Sequence, residues 1–481
     1  MKRKITLFAL IATGILAVCI LSQAKDSFYD WGNTSPVNDL AWTKQVGSRL
    51  QPAGQTLSAN SFGAIADSTV LSTEAIQKAI DSCAANGGGT VTLQSGYYLT
   101  GALFIKSGVN LRLDKDVTLL ATPDIHCYPE FRSRIAGIEM IWPSAVINII
   151  GQKNASVSGE GRLDCRGKSW WDKYWEMRRS YETKGLRWVV DYDCKRIRGI
   201  LVEESSDISL TGITLMRTGF WGCHVLYSDH CTVKGITVDN NIGGHGPSTD
   251  GIDIDSSTNI LIEDCIIDCN DDNICIKSGR DADGLRVNRP TENVVIRNCT
   301  ARSGAGLVGN ILCSDLKAQG TSTVLRLKSA LSRGGTVENI YVTRIKADSV
   351  RHVLTAELNW NPNYSYSKLP DSFQTEELPE HWKTLLTPVE PAYKGYPRFR
   401  NVYLSQIEAT HVTEFISASG INDSLRLENF YLHDIKAQTL KAGKISFCKN
   451  FNMTEVTLST ADRRPIISEN NLYSNIHPTI N

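Results

Sequence analysis

Asn293-Val-Val-Ile-Arg-Asn-Cys-Thr-Ala301 recurs as Asn310-Ile-Leu-Cys-Ser-Asp-Leu-Lys-Ala318, Asn339-Ile-Tyr-Val-Thr-Arg-Ile-Lys-Ala347, Asn401-Val-Tyr-Leu-Ser-Gln-Ile-Glu-Ala409 and Asn429-Phe-Tyr-Leu-His-Asp-Ile-Lys-Ala437. Asn259-Ile-Leu-Ile-Glu-Asp-Cys-Ile-Ile267 fits with its last position relaxed. Ile208-Ser-Leu-Thr-Gly-Ile-Thr-Leu215 and Val233-Lys-Gly-Ile-Thr-Val238 are shorter relatives. Each copy alternates apolar with polar residues and then breaks, as a short strand entering a corner does. Such a strand cannot bury its apolar side alone, whereas like strands stacked from successive coils share one continuous core. Repeats spaced by about 25 to 35 residues suit one coil of an all-β solenoid, a parallel β-helix with three short sheets. The leading Asn is a turn residue, and stacked Asn side chains can bond along the axis.

Two intervals break the period. From Asn339 to Asn401 the gap is 62 residues, a second coil or a long loop, and the Pro-, Tyr- and Trp-rich stretch from Asn359 to Pro391 reads as an excursion over one face. From Asn293 to Asn310 it is only 17, so that coil is short. Upstream, Thr73-Glu-Ala-Ile-Gln-Lys-Ala-Ile-Asp-Ser-Cys83 has helical periodicity with Thr73 as its cap, ahead of the strand opened by Gly87-Gly-Gly-Thr90. A helix there would close the end of the solenoid and shield its strand edges. One domain over residues 45–480 is expected.

Residues 1–24 begin with Lys2, Arg3 and Lys4, continue through an apolar run from Ile5 to Leu21 and end in Ser22-Gln23-Ala24, the pattern of a cleaved export signal. The mature chain would be exported, to periplasm or exterior, and no membrane span is expected in it. The chain carries 51 Lys and Arg against 51 Asp and Glu with no basic block, which argues against a nucleic-acid partner. Thirteen cysteines lie scattered rather than at staple spacings. Cys265, Cys275, Cys299 and Cys313 sit in strand patterns and read as small buried hydrophobes. One or two disulfides remain open, and no CxxC-type metal spacing occurs.

The densest chemistry lies in Pro247-Ser-Thr-Asp-Gly-Ile-Asp253 and Cys269-Asn-Asp-Asp-Asn-Ile-Cys-Ile-Lys-Ser-Gly279. Asp250 and Asp271 are 21 residues apart, close to one coil, so Asp250, Asp271 and Asp272 would converge on one face. Paired carboxyl groups suit glycoside hydrolysis: one, its pKa raised by like-charged neighbours, protonates the leaving oxygen and another activates water. Calcium is the rival use of three acids, but the further acidic ligands such a site takes are missing nearby, so no metal or other cofactor is assigned. In Arg326-Leu-Lys328, alternation puts both cations on one side of a strand, where they can hold a uronate. Arg344-Ile-Lys346 falls at a strand exit and is set aside. Trp170, Trp171, Trp175, Trp188, Trp360 and Trp382 are either sugar-stacking platforms or loop and core anchors.

These residues resemble the polygalacturonase family, glycoside hydrolase family 28, over nearly the whole mature chain. Phe62-Gly-Ala64, the Ala75–Asp81 helix, Gly87-Gly-Gly-Thr90 and Tyr98-Leu-Thr-Gly101 look like the N-terminus of pectin-degrading β-helix proteins. The family's Asn-Thr-Asp corresponds to Ser248-Thr249-Asp250, its Asp pair to Asp271-Asp272, and its Arg-Ile-Lys to Arg326-Leu327-Lys328. The resemblance implies a right-handed β-helix and an inverting, metal-free hydrolase of galacturonic-acid linkages in an acidic pectic polysaccharide or oligosaccharide. Asp271 would be the general acid, Asp250 and Asp272 would activate water, and Arg326 and Lys328 would bind galacturonate. Where the family has Gly-His-Gly after the Asp pair, this chain has Gly304-Ala305-Gly306; Gly244-His245-Gly246 precedes Asp250 and reads as a loop feature. The missing His implies either a different substrate, such as a rhamnogalacturonan or a substituted galacturonan, or a weakened enzyme. The competing readings are a catalytically impaired pectin-binding β-helix protein and, independently of the His, a β-elimination lyase.

Overall fold

In the computed structural model, every repeat quoted above pairs with its neighbours in parallel and in one shared register. Val294 faces Ile311, Ile311 faces Ile340, Ile340 faces Val402 and Val402 faces Phe430, while the trailing alanines 301, 318, 347, 409 and 437 form a second matched column. The structure describes residues 40–242, 245–302, 311–371, 373 and 377–481. Residues 1–24 and Ala305 therefore lie outside the described residues.

The chain winds as a parallel β-helix whose inward side chains stack in columns. One column runs through Leu210, Val233, Ile262, Ile296, Cys313, Val342, Leu404, Leu432 and Met453, all buried. Each large aliphatic member contributes about 1.5–3 kcal/mol of burial. At the corners, the repeat asparagines adopt left-handed backbone angles and pass hydrogen bonds from rung to rung. Asn293 donates to Asn259 at 3.0 Å, Asn401 to Asn339 at 3.1 Å, Asn429 to Asn401 at 2.9 Å and Asn450 to Asn429 at 3.0 Å. Tyr341, Tyr403 and Tyr431 stack outside the same corner with centroids 5.1 Å apart.

The helix Thr73–Ala85 buries Ile76, Ala79, Ile80 and Cys83 against the first coils. Gln77 completes the closure: its amide accepts from Phe104 N at 2.8 Å and donates to Phe104 O at 2.9 Å, covering the edge of the strand Leu103–Phe104. Thr73 does not cap the helix. The N-cap is Ser72, and Thr73 Oγ1 instead accepts from Gly101 N at 2.7 Å, tying the helix to the next coil.

Both irregular intervals have structural counterparts. Val295 pairs directly with Leu312, so the short coil is one tight rung. Tyr341 pairs directly with Tyr403, so the long interval holds no second coil but an excursion with the helices Pro362–Ser365 and Glu380–Leu386. All twelve cysteines from Cys83 to Cys448 are free thiols, and eleven are buried. No helix among the described residues is long and apolar enough to cross a membrane.

One sheet carries the chemistry. Its strands Leu103–Phe104, Ile147–Ile150, Ile200–Glu203, Cys223–Leu226, Ile252–Asp255 and Ile274–Lys277 stack in parallel. Ile252, Ile254, Ile274 and Ile276 point into the core, so alternation turns Asp253, Asp255, Cys275 and Lys277 outward. A second buried cluster of Trp142, Trp188, Phe220, Trp221 and Trp382 packs outside the main core.

Candidate active site

Asp250 closes the turn before Ile252–Asp255, and Asp271-Asp272 close the equivalent turn before Ile274–Lys277. Gly251 N donates to Asp272 O at 2.9 Å, and Ile252 pairs with Ile274. The rung is thus 22 residues, not 21: Asp272 sits over Asp250, and Asp271 is one position earlier. Gly251 permits this approach, since a Cβ there would lie 2.5 Å from Asn273 O. One carboxylate oxygen from each of Asp250, Asp271 and Asp272 falls within 4.8 Å of the others.

Two lysines hold this negative cluster. Lys328 Nζ lies 2.7 Å from Asp272 Oδ2. Lys277 Nζ lies 3.1 Å from Asp250 Oδ2, pairs with Asp253, and stands 4.4 Å from the Trp221 ring centroid. Burial raises the Asp271 carboxyl to about 8, helped by the charges of Asp250 and Asp272, and burial with the Asp253 charge raises Asp250 likewise. Asp253 is pushed up to about 6 by burial against the pull of Lys277. Burial also pushes on Asp272, but Lys328 and Lys277 outweigh it and hold that carboxyl below its usual value. The surroundings thus favour the protonated form at Asp271 and Asp250 and the ionised form at their neighbour Asp272. Asp272 Oδ1 is buried with no hydrogen-bond partner, which leaves an acceptor for a water or a sugar hydroxyl. The ammonium groups of Lys277 and Lys328 already supply counter-charge that a divalent cation would bring to such a cluster.

Ser248, where the family resemblance expects Asn, has a left-handed φ of 51° and donates to Asp191 Oδ1 at 2.7 Å. Asp191 is also shared by Arg187 at 3.2 Å and Arg196 at 3.1 Å. The acids open onto a cavity of about 700 Å³ whose walls include Arg187, Trp221, Arg280, Lys328, Trp360 and Tyr364, within the size range of small-ligand sites. Arg326 is not among the lining residues; its guanidinium stands 5.1 Å from the Trp360 ring centroid, and Lys328 Nζ stands 4.9 Å from the same ring.

Of the six tryptophans singled out in the sequence, Trp360 lines the cavity. Trp170 and Trp171 are buried in the main core and Trp188 and Trp382 in the second cluster, while Trp175 packs partly buried and donates to His245 O at 2.7 Å. Arg344 is paired with Asp315 at 2.7 Å, away from this cavity. Sequence reasoning passed over Lys277 and Asp253, although the alternation in Ile252-Asp-Ile-Asp255 and Ile274-Cys-Ile-Lys277 turns both outward beside the trio. It had no signal for Arg187, Asp191, Arg280 or Arg333, which lie outside the repeat strands.

Two connections are bridged through the second buried cluster. Residues 187–193 precede the strand Ile200–Glu203, and the excursion follows the strand His352–Glu357, yet the two meet directly. Trp188 Nε1 donates to Lys368 O at 3.0 Å, Trp382 Nε1 to Asp193 Oδ1 at 2.8 Å, and the Trp188 and Trp382 rings pack edge to face at 5.4 Å.

A family model described as glycosyl hydrolases family 28 matches residues 141–370, a range that includes all three acids, Arg326 and Lys328. A probable polygalacturonase of Vitis vinifera is 29% identical over 307 residues, covering 58% of this chain and 58% of that relative, so the match spans less than two thirds of the relative's length. An endo-polygalacturonase of Pectobacterium parmentieri is 28% identical over 302 residues, covering 59% of this chain and 71% of the relative. Among solved structures, a hyperthermoactive exopolygalacturonase from Thermotoga maritima superposes with a TM-score of 0.69 over 89% of this chain and 94% of that one; at 21% identity the likeness is one of fold.

Proposed function

The chain belongs to glycosyl hydrolase family 28, and from that premise we propose that it is an exported enzyme hydrolysing galacturonic-acid linkages in pectin, at chain ends or in oligosaccharides. The observation that carries this reading is the convergence of Asp250, Asp271 and Asp272 at one cavity beside Lys328.

Asp271 enters the cycle protonated and donates to the leaving glycosidic oxygen. Asp272, ionised beside Lys328, accepts the proton of a water that attacks the anomeric carbon, and Asp250 holds that water through its second oxygen. Lys328 lies on the cavity wall and meets the uronate of the sugar at the cleaved bond. Arg326, 5.1 Å from the Trp360 ring centroid, reinforces that charge and orients the ring on which the sugar packs.

The usual inverting pair is about 6.5–9.5 Å apart to make room for water, while about 5–5.5 Å accompanies a covalent intermediate. Here each of three acids brings one carboxyl oxygen within 4.8 Å of the others. The water therefore lies to one side of the Asp250–Asp272 pair in the inverting route proposed here. Asp271→Asn tests the whole reading: reducing-sugar release from oligogalacturonate should fall by about 10²–10⁴, and unchanged turnover would end it. The anomer first released, followed by NMR, should be opposite to that of the cleaved bond; retention would make Asp250 or Asp272 a nucleophile instead. Export is part of the proposal and is checked by a secreted chain beginning after Ala24.

A further inference from the structure

The cavity has a second charged wall, carried by the bridge and by the connections that follow the strands Ile274–Lys277 and Thr323–Lys328. Arg187, Arg280 and Arg333 line it together with Tyr364. Four arginines stand here against two aspartates. Arg187 and Arg196 share Asp191, whose Oδ1 also accepts from Ser248. Arg280 takes Asp281 at 2.6 Å, and the other oxygen of Asp281 accepts from Ser332 at 2.7 Å. Glu182, 3.9 Å from Arg187, is half-exposed and is taken by Arg178 at 2.8 Å. Arg333 makes no ion pair among the described residues: its Nη2 reaches Ser365 Oγ at 3.4 Å, and its Nε is buried with no hydrogen bond.

A guanidinium cannot shed its proton to relieve such a position, so an uncompensated one is tolerated where an anion arrives. The wall is also held rigid. Arg187 and Arg280 lie 5.0 and 5.8 Å from the Tyr364 centroid, and Arg280 donates to Tyr192 Oη at 3.1 Å and Ser365 O at 2.9 Å. Fixed, planar, excess cations facing a sugar-sized cavity suit a carboxylate.

We propose that Arg187, Arg280 and Arg333 form a second carboxylate-binding subsite that grips the uronate of a sugar remote from the cleaved bond. Substrate is then held at two acidic sugars, by Lys328 at the bond and by the arginine wall at the chain end. This rests on the hydrolase reading above for the identity of the sugar.

The test uses the mature enzyme, digalacturonate and trigalacturonate, and the same oligosaccharides with the remote carboxyl reduced to an alcohol. Arg333→Gln should raise KM for the native oligomers about ten- to a hundredfold, as expected for losing one charged hydrogen-bonding partner, with kcat within about twofold. On the reduced oligomers, Arg333→Gln and wild type should match, and Arg333→Lys should recover part of the loss on the native ones. Equal loss on both substrate sets, or no loss on either, overturns the subsite. Should Arg333→Gln fail to fold, binding of native and reduced digalacturonate to Asp271→Asn protein decides, and equal affinity overturns it. Arg333-dependent binding of native digalacturonate by a protein that hydrolyses nothing would keep the subsite and remove the hydrolase reading.

Discussion

Asp250 and Asp271 are carboxyl groups whose folded-state pKa values are raised, to about 8 each, by burial first and then by neighbouring carboxylates. Protons are therefore bound more tightly in the folded chain than in the unfolded one, where a carboxyl titrates near 3.9. The stabilisation from these groups is complete below about pH 4 and is lost as pH rises towards 8. Replacing one by a neutral isostere removes that loss. Asp250→Asn should accordingly melt at a higher temperature than wild type at pH 8, with the difference shrinking towards pH 5; a difference that is flat with pH would mean the acids are not held protonated by the fold. The trio was legible in the sequence because two turns one coil apart must stack. Lys277 was written in the same alternation but masked by the apolar run around it. The arginine wall was not legible, because Arg187, Arg280 and Arg333 come from connections whose paths no periodicity dictates.

Among the repeating elements, the corner asparagines do two jobs at once: each takes the left-handed angle that ends its strand and each bonds to the next rung. Asn401 lies mid-ladder, donating to Asn339 and accepting from Asn429. Asn401→Ala should lose both bonds and strain the φ of 57°, at about 1–3 kcal/mol for the unmet polar groups and about 1–2 kcal/mol for the backbone. Asn401→Gly keeps the backbone angle and should lose less, although glycine adds its own unfolded-state entropy. Urea titration of the pair separates the contributions, and equal midpoints for Ala and Gly would remove the conformational part. At this scale the sequence was read to the residue, since the nine-position pattern is itself the register. Thr73 was misread because a helix-start signal is local, while the partner that took its hydroxyl, Gly101 N, arrives from the following coil.

Across the whole solenoid, the two connections that supply Arg187 and Tyr364 to the cavity wall also meet each other, through Trp188, Asp193 and Trp382. On the hydrolase reading proposed above, the junction of Trp188, Asp193 and Trp382 would bar a polymer lying along the axis and leave entry to a chain end. Attack confined to ends releases many reducing groups before viscosity falls, so wild type should show a slow viscosity drop per bond cleaved on polygalacturonan. Trp382→Ala removes the ring packed on Trp188 and the donor to Asp193, a buried deletion of about 3–5 kcal/mol if the site cannot collapse. That cost falls on an excursion rather than on the stacked core, so the β-helix should stay folded while the bridge loosens. The variant should then cleave internally, with viscosity falling several-fold faster per reducing end than for wild type. If both proteins give the same viscosity curve while the variant's bridge is demonstrably opened by hydrogen exchange, the junction does not set the mode of attack, and selectivity for chain ends must come from the arginine wall alone.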